Sequence, residues 1–402
     1  MFDVAIVGAG LVGLATARAL VPSCSRLVVL EAEPLVGAHQ SGRNSGVAHS
    51  GLYYTPGSLK ARLSVEGRDA LSRYCADRGI AFERCGKLVV ASRVEELPAL
   101  DELERRGRAN GLRQVRRITP PQIQDIEPHA VGSGALFVGD TGIVDFPGVA
   151  RALADDVVAN GGEVRTGARM TGLSTAHGEH VVETDRGPVH ARALVACAGL
   201  HADRLAFQCG LDPGVRIVPF RGEYYRVRGD RRGLVRHLIY PVPDPEFPFL
   251  GVHLTRTVRG EIEAGPNAVL ALARHGYRWS DVAPADIADL VTFPGFLRFA
   301  RRHWRAGLRE ARRSLSRRRF AAALARLVPE ISSRDLVPGG AGVRAMALTP
   351  DGVLVDDFRF VASGRMIHVL NAPSPAATAC LAIGERLAAM ARDAFGLEER
   401  RT

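Results

Sequence analysis

The feature that most constrains the fold is a glycine pattern near the N-terminus. An apolar run ends in Gly8-Ala-Gly10-Leu-Val-Gly13, a segment of small residues follows, and a second apolar run ends at Glu31. The first glycine permits a tight turn, the second lets a pyrophosphate approach the backbone, and the third lets helix and strand pack closely. An acid 18 residues after Gly13 is placed to accept hydrogen bonds from ribose hydroxyls. The pattern predicts a βαβ unit that binds an adenine dinucleotide, and it leaves open whether that is NAD or FAD.

Length and composition set broad limits. The 402 residues suffice for two or three domains, and no apolar run reaches the ~18 residues of a membrane-spanning helix. The six cysteines show neither a C-x-x-C pair nor metal-ligand spacing, which favours reduced thiols in a cytoplasmic protein and no metal site. The formal net charge is +10, but only Lys60 and Lys87 are lysines, and the arginine bias runs along the whole chain. Charge alone is therefore a weak reason to expect an acidic partner.

Nucleotide-type elements recur in the early, middle and late parts of the chain. The strand-like run Val189–Cys197 leads into Gly199, a second place where a strand end can meet the cofactor. We therefore expect an α/β fold with a discontinuous Rossmann-like FAD-binding domain and an inserted α+β substrate domain built on a mixed sheet. The predicted segments are 1–85, 145–212 and 340–402 for the first domain, and 86–144 and 213–339 for the second.

A late segment favours a flavin over NAD. From Asn371 onward, prolines and small residues open what the sequence predicts to be a helix reaching about Ala394. A helix start of small residues lets backbone N–H groups approach a ligand and stabilises negative charge, such as a reduced flavin carries. The alternative is an ordinary C-terminal helix with proline in its first turn.

Longer blocks of the chain resemble a known family. Asn44–Lys60, Pro219–Tyr225 and Gly342–Gly352 are similar to segments of the L-2-hydroxyglutarate oxidase/dehydrogenase family, as are His237–Pro245, Phe249–Arg256 and Gly265–Asn267. This family lies within the FAD-dependent D-amino-acid-oxidase and glycine-oxidase superfamily. The resemblance runs from residue 2 to about 390. It implies an FAD enzyme that oxidises the 2-hydroxyl of L-2-hydroxyglutarate to 2-oxoglutarate; the alternative is a related flavin oxidase acting on another 2-hydroxy acid or a small amine.

The resemblance also implies which residues hold the cofactor. They include the fingerprint residues, the stretch that passes beside the flavin ring, the glycine after the middle strand, and the late segment. The expected cofactor-binding residues are Gly8, Gly10, Gly13, Glu31, Asn44, Ser45, Gly46, Val47, His49, Gly199, Pro373, Ser374, Pro375, Ala376, Ala377 and Thr378.

Oxidation of a 2-hydroxy acid requires a cation for the C1 carboxylate and a base for the hydroxyl proton. Arg344 matches the position that pairs with the substrate carboxylate in similar enzymes, and a guanidinium can do so through two parallel hydrogen bonds. His253, in an apolar strand, is the first choice for the base. His49 is the competitor, and His39 is a third histidine for which we expect a structural role.

A dicarboxylate substrate needs a second cation. Arg221 and Arg256 are the candidates, with Tyr54 and Tyr225 as hydroxyl donors, and the sequence does not decide among them.

Residues 298–319 hold ten arginines and one acid, Glu310. At helical spacing, one side of this segment is apolar; its members are Leu297, Trp304, Leu308, Ala311 and Leu315. A basic amphipathic helix over 293–320 is typical of a membrane surface element, which would suit an enzyme passing electrons to a membrane quinone. It would place the protein at the inner face of the cell membrane. The sequence leaves open whether a quinone or oxygen is the electron acceptor. The alternative is a helix packed on its own domain with solvated arginines. Aromatic residues are sparse among the arginines, so nucleic acid is not expected as a partner.

Overall fold

The computed structural model describes residues 1–176, 178–244 and 250–398. Its strands, in chain order, are β1 (Phe2–Val7), β2 (Leu27–Leu30), β3 (Val47–Ala48), β4 (Phe82–Glu83), β5 (Lys87–Ala91), β6 (Val115–Ile118), β7 (Gly134–Val138), β8 (Gly142–Val144), β9 (Glu163–Arg165), β10 (Met170–Ala176), β11 (Glu179–Thr184), β12 (Val189–Ala196), β13 (Arg216–Val227), β14 (Leu238–Pro241), β15 (His253–Arg256), β16 (Ile262–Gly265), β17 (Val269–Leu270), β18 (Leu336–Leu348), β19 (Arg359–Ser363) and β20 (Met366–Asn371).

The α-helices are α1 (Leu11–Leu20), α2 (Leu59–Asp77), α3 (Leu97–Ala109), α4 (Pro120–Ile126), α5 (Phe146–Ala159), α6 (Ala202–Gln208), α7 (Pro284–Val291), α8 (Pro294–Ser314), α9 (Arg317–Leu324) and α10 (Cys380–Phe395). Within the described ranges, none of them is long and apolar enough to cross a membrane. Pro245 and Phe249, which bound two of the blocks quoted above, lie outside the described residues, as do residues 399–402.

The first sheet is the dinucleotide-binding one. Its parallel strands lie in the order β20-β12-β1-β2-β9, with the β10–β11 hairpin beside β12 and β19 beside β20. Helices α1, α2, α5 and α10 contribute to the core on one face, which is why β1 and β2 are almost uninterrupted apolar runs. The carboxyl ends of parallel strands meet at one edge, so Gly8, Glu31, Gly199 and Asn371 come together there. The predicted Rossmann-like α/β fold is confirmed.

The second sheet is mixed and forms the other wall of the molecule. Its strand order is β17-β13-β16-β15-β14-β5-β7-β6, and β18 pairs with β13 along almost its whole length. Helices α4 and α9 cover one face, where Ile123, Phe320 and Leu324 join the core. On the opposite face, α3 covers part of the sheet through Leu100 and Leu103, and Tyr240, His253 and Arg344 line a cavity shared with the first sheet.

Strand pairing extends across some of the expected domain borders. Strand β18 crosses residue 340 and remains in the second sheet as far as Leu348, because its hydrogen bonds to β13 continue past that border. A small third sheet joins β3 and β4 to β8, which mixes segments assigned to different domains. The recurrence of nucleotide-type elements suggested borders at 85, 144 and 340, but strands on either side of these positions pair with one another.

Two predicted helices also differ. The late helix begins at Cys380 rather than at Asn371, because Asn371 ends β20 and residues 372–379 form turns that contain two prolines. The arginine-rich helix expected over 293–320 is divided between α8, which ends at Ser314, and α9, which begins at Arg317.

Candidate active site

One cavity of about 1040 Å³ lies between the two large sheets. Its lining includes the carboxyl edge of the parallel strands, the N-terminus of α1, the loop 37–54, the end of β20 and part of β18. The volume of this cavity is at the upper end of the range for ligand sites, so the cavity can hold a molecule as large as a dinucleotide. The described residues therefore place the predicted cofactor elements around a single space.

The glycines of the fingerprint are required by close backbone contacts. Gly8 has a φ of +106°, and a Cβ there would lie 2.4 Å from the carbonyl oxygen of Cys197. A Cβ on Gly13 would lie 2.0 Å from the carbonyl oxygen of Gly8. Gly10 caps α1 without a side chain, so the helix N-terminus is open to the cavity. The cradle fits the pyrophosphate of FAD.

The ribose end of the cavity carries Glu31. Its carboxylate accepts hydrogen bonds from the backbone N–H groups of Ala9 and Glu33, at 2.7 and 2.9 Å, and these fix its direction at the end of β2. Nearby, Nδ1 of His39 lies 2.5 Å from the hydroxyl of Tyr277, and its Nε2 lies 3.2 Å from Glu33. These contacts support the structural role expected of His39. The ligand-type atoms of Glu33, His39 and His275 also lie within 4.8 Å of one another, a grouping that the cysteine spacing could not indicate.

The predicted flavin-binding stretches meet on the far side of the cavity. Residues of both stretches line it; they are Asn44, Ser45, Val47, His49, Pro373, Ser374, Pro375, Ala376 and Ala377, with Gly199 at the middle strand. Gly46 and Thr378 stand just behind this wall. The Thr378 hydroxyl accepts the N–H of His49 at 3.0 Å and donates to the carbonyl of Val47 at 3.3 Å, so it ties the two stretches together. The residues present fit an FAD ring system between them.

His253 lies at the substrate end, on β15. It is 5% exposed and stacks on Tyr240 with ring centroids 3.8 Å apart. Its Nδ1 lies 2.8 Å from the carbonyl oxygen of Gly251. Because a carbonyl only accepts, Nδ1 carries the proton of the neutral ring and Nε2 keeps its lone pair. Burial, with the charges of Arg344 and Lys87, lowers the pKa of His253 to about 3, so the ring is neutral at pH 7.

His49 lies in the same cavity, close to the flavin-binding turns. Its Nε2 is 3.3 Å from the hydroxyl of Ser374. Burial, with the charges of Lys87, His253 and Lys60, lowers the pKa of His49 to about 3. Both candidate bases are therefore neutral. In His253, the contact with the carbonyl of Gly251 fixes which ring nitrogen carries the proton.

Arg344 reaches the cavity from β18, opposite Phe220 of β13. Its Nη1 donates to the carbonyl of Asn267 at 3.2 Å, which holds the guanidinium in place. Gly222 makes room for it, because a Cβ there would lie 3.0 Å from Nη1. Tyr54 also lines the cavity, and the Lys60 ammonium lies 5.1 Å from its ring centroid.

Three predicted substrate-binding residues lie elsewhere. Arg221, on β13, is fully buried. It pairs with Glu223 and donates a hydrogen bond to the carbonyl of Arg278 at 2.9 Å. Arg256 forms an ion pair with Glu83 outside the cavity lining. Tyr225 packs on Phe320 in the core of the second domain. Each has a local charge or packing partner that sequence spacing does not reveal.

Sequence reasoning missed other residues of the site. Tyr53, Tyr224 and Tyr240 line the cavity, and the Lys87 ammonium lies against the ring faces of Tyr53 and Tyr240. One signal was present in the composition. The only two lysines of this arginine-rich chain are Lys60 and Lys87, and both are buried at this site.

Together, a dinucleotide cradle at the edge of a parallel sheet and a second sheet carrying a cation and neutral bases define a flavin-dependent oxidoreductase. The family model described as FAD dependent oxidoreductase matches residues 3–390, and the chain belongs to that family.

Among its relatives are enzymes named L-2-hydroxyglutarate dehydrogenase. The one from Indibacter alkaliphilus is 46% identical over 386 residues, which cover 95% of this chain and 97% of that protein. The one from Escherichia coli K12 is 42% identical over 96% of this chain and 92% of its own length. The human mitochondrial enzyme is 42% identical over 98% of this chain and 90% of its own.

Solved structures share the fold at low identity. The dithionite-reduced, FAD-bound L-α-glycerophosphate oxidase of Mycoplasma pneumoniae aligns with a TM-score of 0.79 and 20% identity, over 100% of this chain and 96% of that chain. The glycine oxidase of Geobacillus kaustophilus aligns with a TM-score of 0.73 and 19% identity, over 100% and 99% of the two chains.

Proposed function

We propose that this chain is an FAD-dependent dehydrogenase that oxidises the 2-hydroxyl of L-2-hydroxyglutarate to 2-oxoglutarate. The observation that carries this proposal is one cavity in which a dinucleotide cradle leads to Arg344 and the neutral His253. The relatives named L-2-hydroxyglutarate dehydrogenase, which span nearly the whole chain, support the choice of substrate.

Each residue has a distinct part in this reaction. Arg344 binds the C1 carboxylate and so orients the neighbouring C2 carbon toward the flavin wall of the cavity. His253 accepts the hydroxyl proton at Nε2, because its Nδ1 is held by the carbonyl of Gly251. His49, between the two cofactor-binding stretches, holds the flavin side of the site in place. FAD, when bound, supplies the two-electron acceptor.

A substrate panel with an Arg344→Met variant tests the proposal. We expect the wild-type protein to oxidise L-2-hydroxyglutarate and to leave glycine and sarcosine unchanged. We expect Arg344→Met to raise KM about 100-fold while FAD stays bound, because only a charge-assisted contact to the substrate is lost. An unchanged KM would remove Arg344 from the substrate site. Oxidation of the amines in preference to the hydroxy acid would favour the related amine oxidases instead.

We infer further that α8 binds an anionic membrane surface and that the enzyme passes its electrons to a quinone in that membrane. The helix packs on its domain through Phe299 and Ala306, on the side opposite to its apolar stripe. That stripe is solvent-exposed; Leu297, Trp304, Leu308 and Leu315 are between 43 and 73% exposed. An apolar stripe that is left exposed while the helix packs through its other side supports a surface role for α8.

Charge on the same surface supports a lipid partner. Four arginines of α8 and α9 line a hollow beside the stripe; they are Arg309, Arg312, Arg313 and Arg319. Exposed apolar residues flanked by arginines match an interfacial helix, which buries its apolar side among acyl chains and its cations among phosphates.

Co-sedimentation with liposomes tests this surface. We expect the protein to pellet with vesicles containing anionic lipid at low salt, and Trp304→Gln combined with Leu308→Gln to abolish pelleting. Val94→Gln serves as control, because Val94 is 66% exposed but lies far along the chain from α8. Absence of binding by the wild-type protein to anionic vesicles at low salt would refute the membrane proposal and leave oxygen as the favoured acceptor.

A further inference from the structure

Lys87 is a buried ammonium placed among aromatic rings. It begins β5 and is 1% exposed. Its Nζ lies 4.3 Å from the ring centroid of Tyr53 and 4.9 Å from that of Tyr240. Among the described residues, no carboxylate pairs with this ammonium and no hydrogen bond holds it. A buried charge without a counter-ion is costly, so such a position calls for a function.

The ammonium belongs to the same face as the proposed base. Lys87, Tyr240 and His253 stand on neighbouring strands β5, β14 and β15. Leu88, Ile239 and Leu254, which alternate with them, face the opposite core, so the three side chains project toward the cavity. The electrostatic influence of both Arg344 and Lys87 reaches His253. The base therefore lies in the field of two cations.

The other basic side chains near the substrate end already have carboxylate partners. Lys60 pairs with Asp356 at 2.9 Å, and Arg106 pairs with Glu102 at 2.6 Å. Arg221 and Arg256 are likewise committed to Glu223 and Glu83. In addition, the Tyr53 hydroxyl is buried and has no hydrogen-bond partner within the described part of the chain. A cation and a hydroxyl donor without partners together match one carboxylate.

We propose that Lys87 is the second cation of the substrate site, and that with the Tyr53 hydroxyl it receives the distal carboxylate of a dicarboxylic 2-hydroxy acid. Arg344 and Lys87 then hold the two ends of the substrate, and the hydroxyl-bearing carbon lies next to the Arg344 end, beside His253. Lys87 thereby determines the preference for dicarboxylates over monocarboxylates. This inference rests on the proposed function and adds a specificity residue to it.

Because Lys87 is buried, binding of a carboxylate beside it changes the protonation of its amine. Burial lowers the pKa of Lys87 to about 7, so much of the amine is neutral at pH 8. A carboxylate beside it favours the ammonium form, and binding of a dicarboxylate at pH 8 must then take up a proton. Binding of a monocarboxylate at the Arg344 end leaves Lys87 unchanged.

The first experiment compares two substrates in the FAD-loaded protein. L-2-hydroxyglutarate and L-2-hydroxyvalerate share the C1 and C2 groups, and only the former has a distal carboxylate. We expect Lys87→Met to raise KM for L-2-hydroxyglutarate about 100-fold and to leave KM for L-2-hydroxyvalerate unchanged. Arg256→Met is the matched control and should change neither value. An equal effect of Lys87→Met on both substrates, or no effect on either, would overturn the inference.

The second experiment uses the wild-type holoprotein and avoids any folding defect of the variant. Calorimetric titrations with glutarate and with valerate at pH 8, in two buffers of different ionisation enthalpy, report the protons taken up. We expect a proton to be taken up with glutarate and none with valerate. Equal uptake with the two ligands would refute the role of Lys87. Failure of the proposed function is seen separately, as a wild-type flavin that L-2-hydroxyglutarate does not reduce.

Discussion

At the residue scale, the central group is the Nε2 atom of His253. Replacement by Gln in His253→Gln keeps the size and polarity but removes the base. We expect kcat to fall by a factor of about 10² to 10⁴ while FAD content is unchanged. Stopped-flow measurement of flavin reduction reports this step directly. A larger loss in His49→Gln than in His253→Gln would exchange the roles of the two histidines.

The two histidines also make stability depend on pH. Each has a pKa of about 3 in the folded protein, below the ordinary value of 6.5. The unfolded chain therefore binds more protons between these values, and the stabilisation present above pH 6.5 is lost as the pH falls toward 3. We expect the Tm to drop between pH 7 and 5, and to drop less in the His49→Gln/His253→Gln double variant. Parallel pH curves for both proteins would contradict the assignment of neutral, buried rings.

Residue identities at the site were predictable only where a motif fixed them. Arg344, His253 and His49 stand in blocks with a family resemblance, and the structure brings all three to the cavity. The second cation was sought at Arg221 and Arg256, which also stand in such blocks, but each of them pairs with a carboxylate in the fold. Lys87, which we propose for this role, stands outside the quoted blocks, and its place beside Tyr53 and Tyr240 follows from tertiary packing rather than from spacing.

At the scale of elements, the turn from β1 into α1 is the most constrained segment. We expect Gly13→Ala to lose most of its bound FAD and to be less stable by about 1–3 kcal/mol, because the new methyl group would overlap the carbonyl of Gly8. Gly307→Ala is the control. Its Cβ would meet no atom within 4 Å in the middle of α8, so this variant should be stabler by roughly 0.5–1 kcal/mol. Flavin absorbance and urea unfolding measure both effects, and normal FAD binding by Gly13→Ala would contradict the cradle geometry.

The helices show where periodicity alone is insufficient. The sequence placed Leu297, Trp304, Leu308 and Leu315 on one side of the arginine-rich helix. In the structure all four side chains are exposed. Periodicity could not tell which side packs inward, because the buried side consists of Gly295, Phe299, Ala306 and Glu310 and is not the most apolar side of the helix. At the other end of the chain, the start of α10 was misplaced because the turns of 372–379 contain helix-compatible alanines.

At the scale of the whole molecule, a buried ion pair joins the two large units. Asp203 lies in α6, which comes after strand β12 of the first sheet in the sequence. Arg274 comes shortly after strand β17 of the second sheet. Their side chains form two hydrogen bonds of 2.5 and 2.9 Å and are 1 and 4% exposed. We expect Asp203→Asn to cost about 3–5 kcal/mol in the free energy of urea unfolding, because it leaves the guanidinium buried without a charge partner.

The control for this prediction is Asp230→Asn. Asp230 pairs with Arg228 at 3.4 Å, and both side chains are more than half exposed, so the expected loss is below about 1 kcal/mol. Similar costs for the two variants would show that the interdomain pair does not hold the units together.

The α/β architecture followed from the glycine pattern and from the apolar strands, which are local signals. The exact domain borders did not, because β18 and the small third sheet are defined by pairing between segments far apart in sequence. The cavity likewise depends on how the two sheets face each other. Long-range pairing of this kind leaves little trace in a single sequence.

Anaerobic titration of the purified, FAD-loaded protein with L-2-hydroxyglutarate, followed by visible absorption, tests the proposed oxidation in a single experiment. We expect the flavin band to bleach as substrate is added and 2-oxoglutarate to appear in equal amount. A flavin band that stays unchanged at saturating L-2-hydroxyglutarate, or a protein that takes up no FAD, would contradict the proposed oxidation.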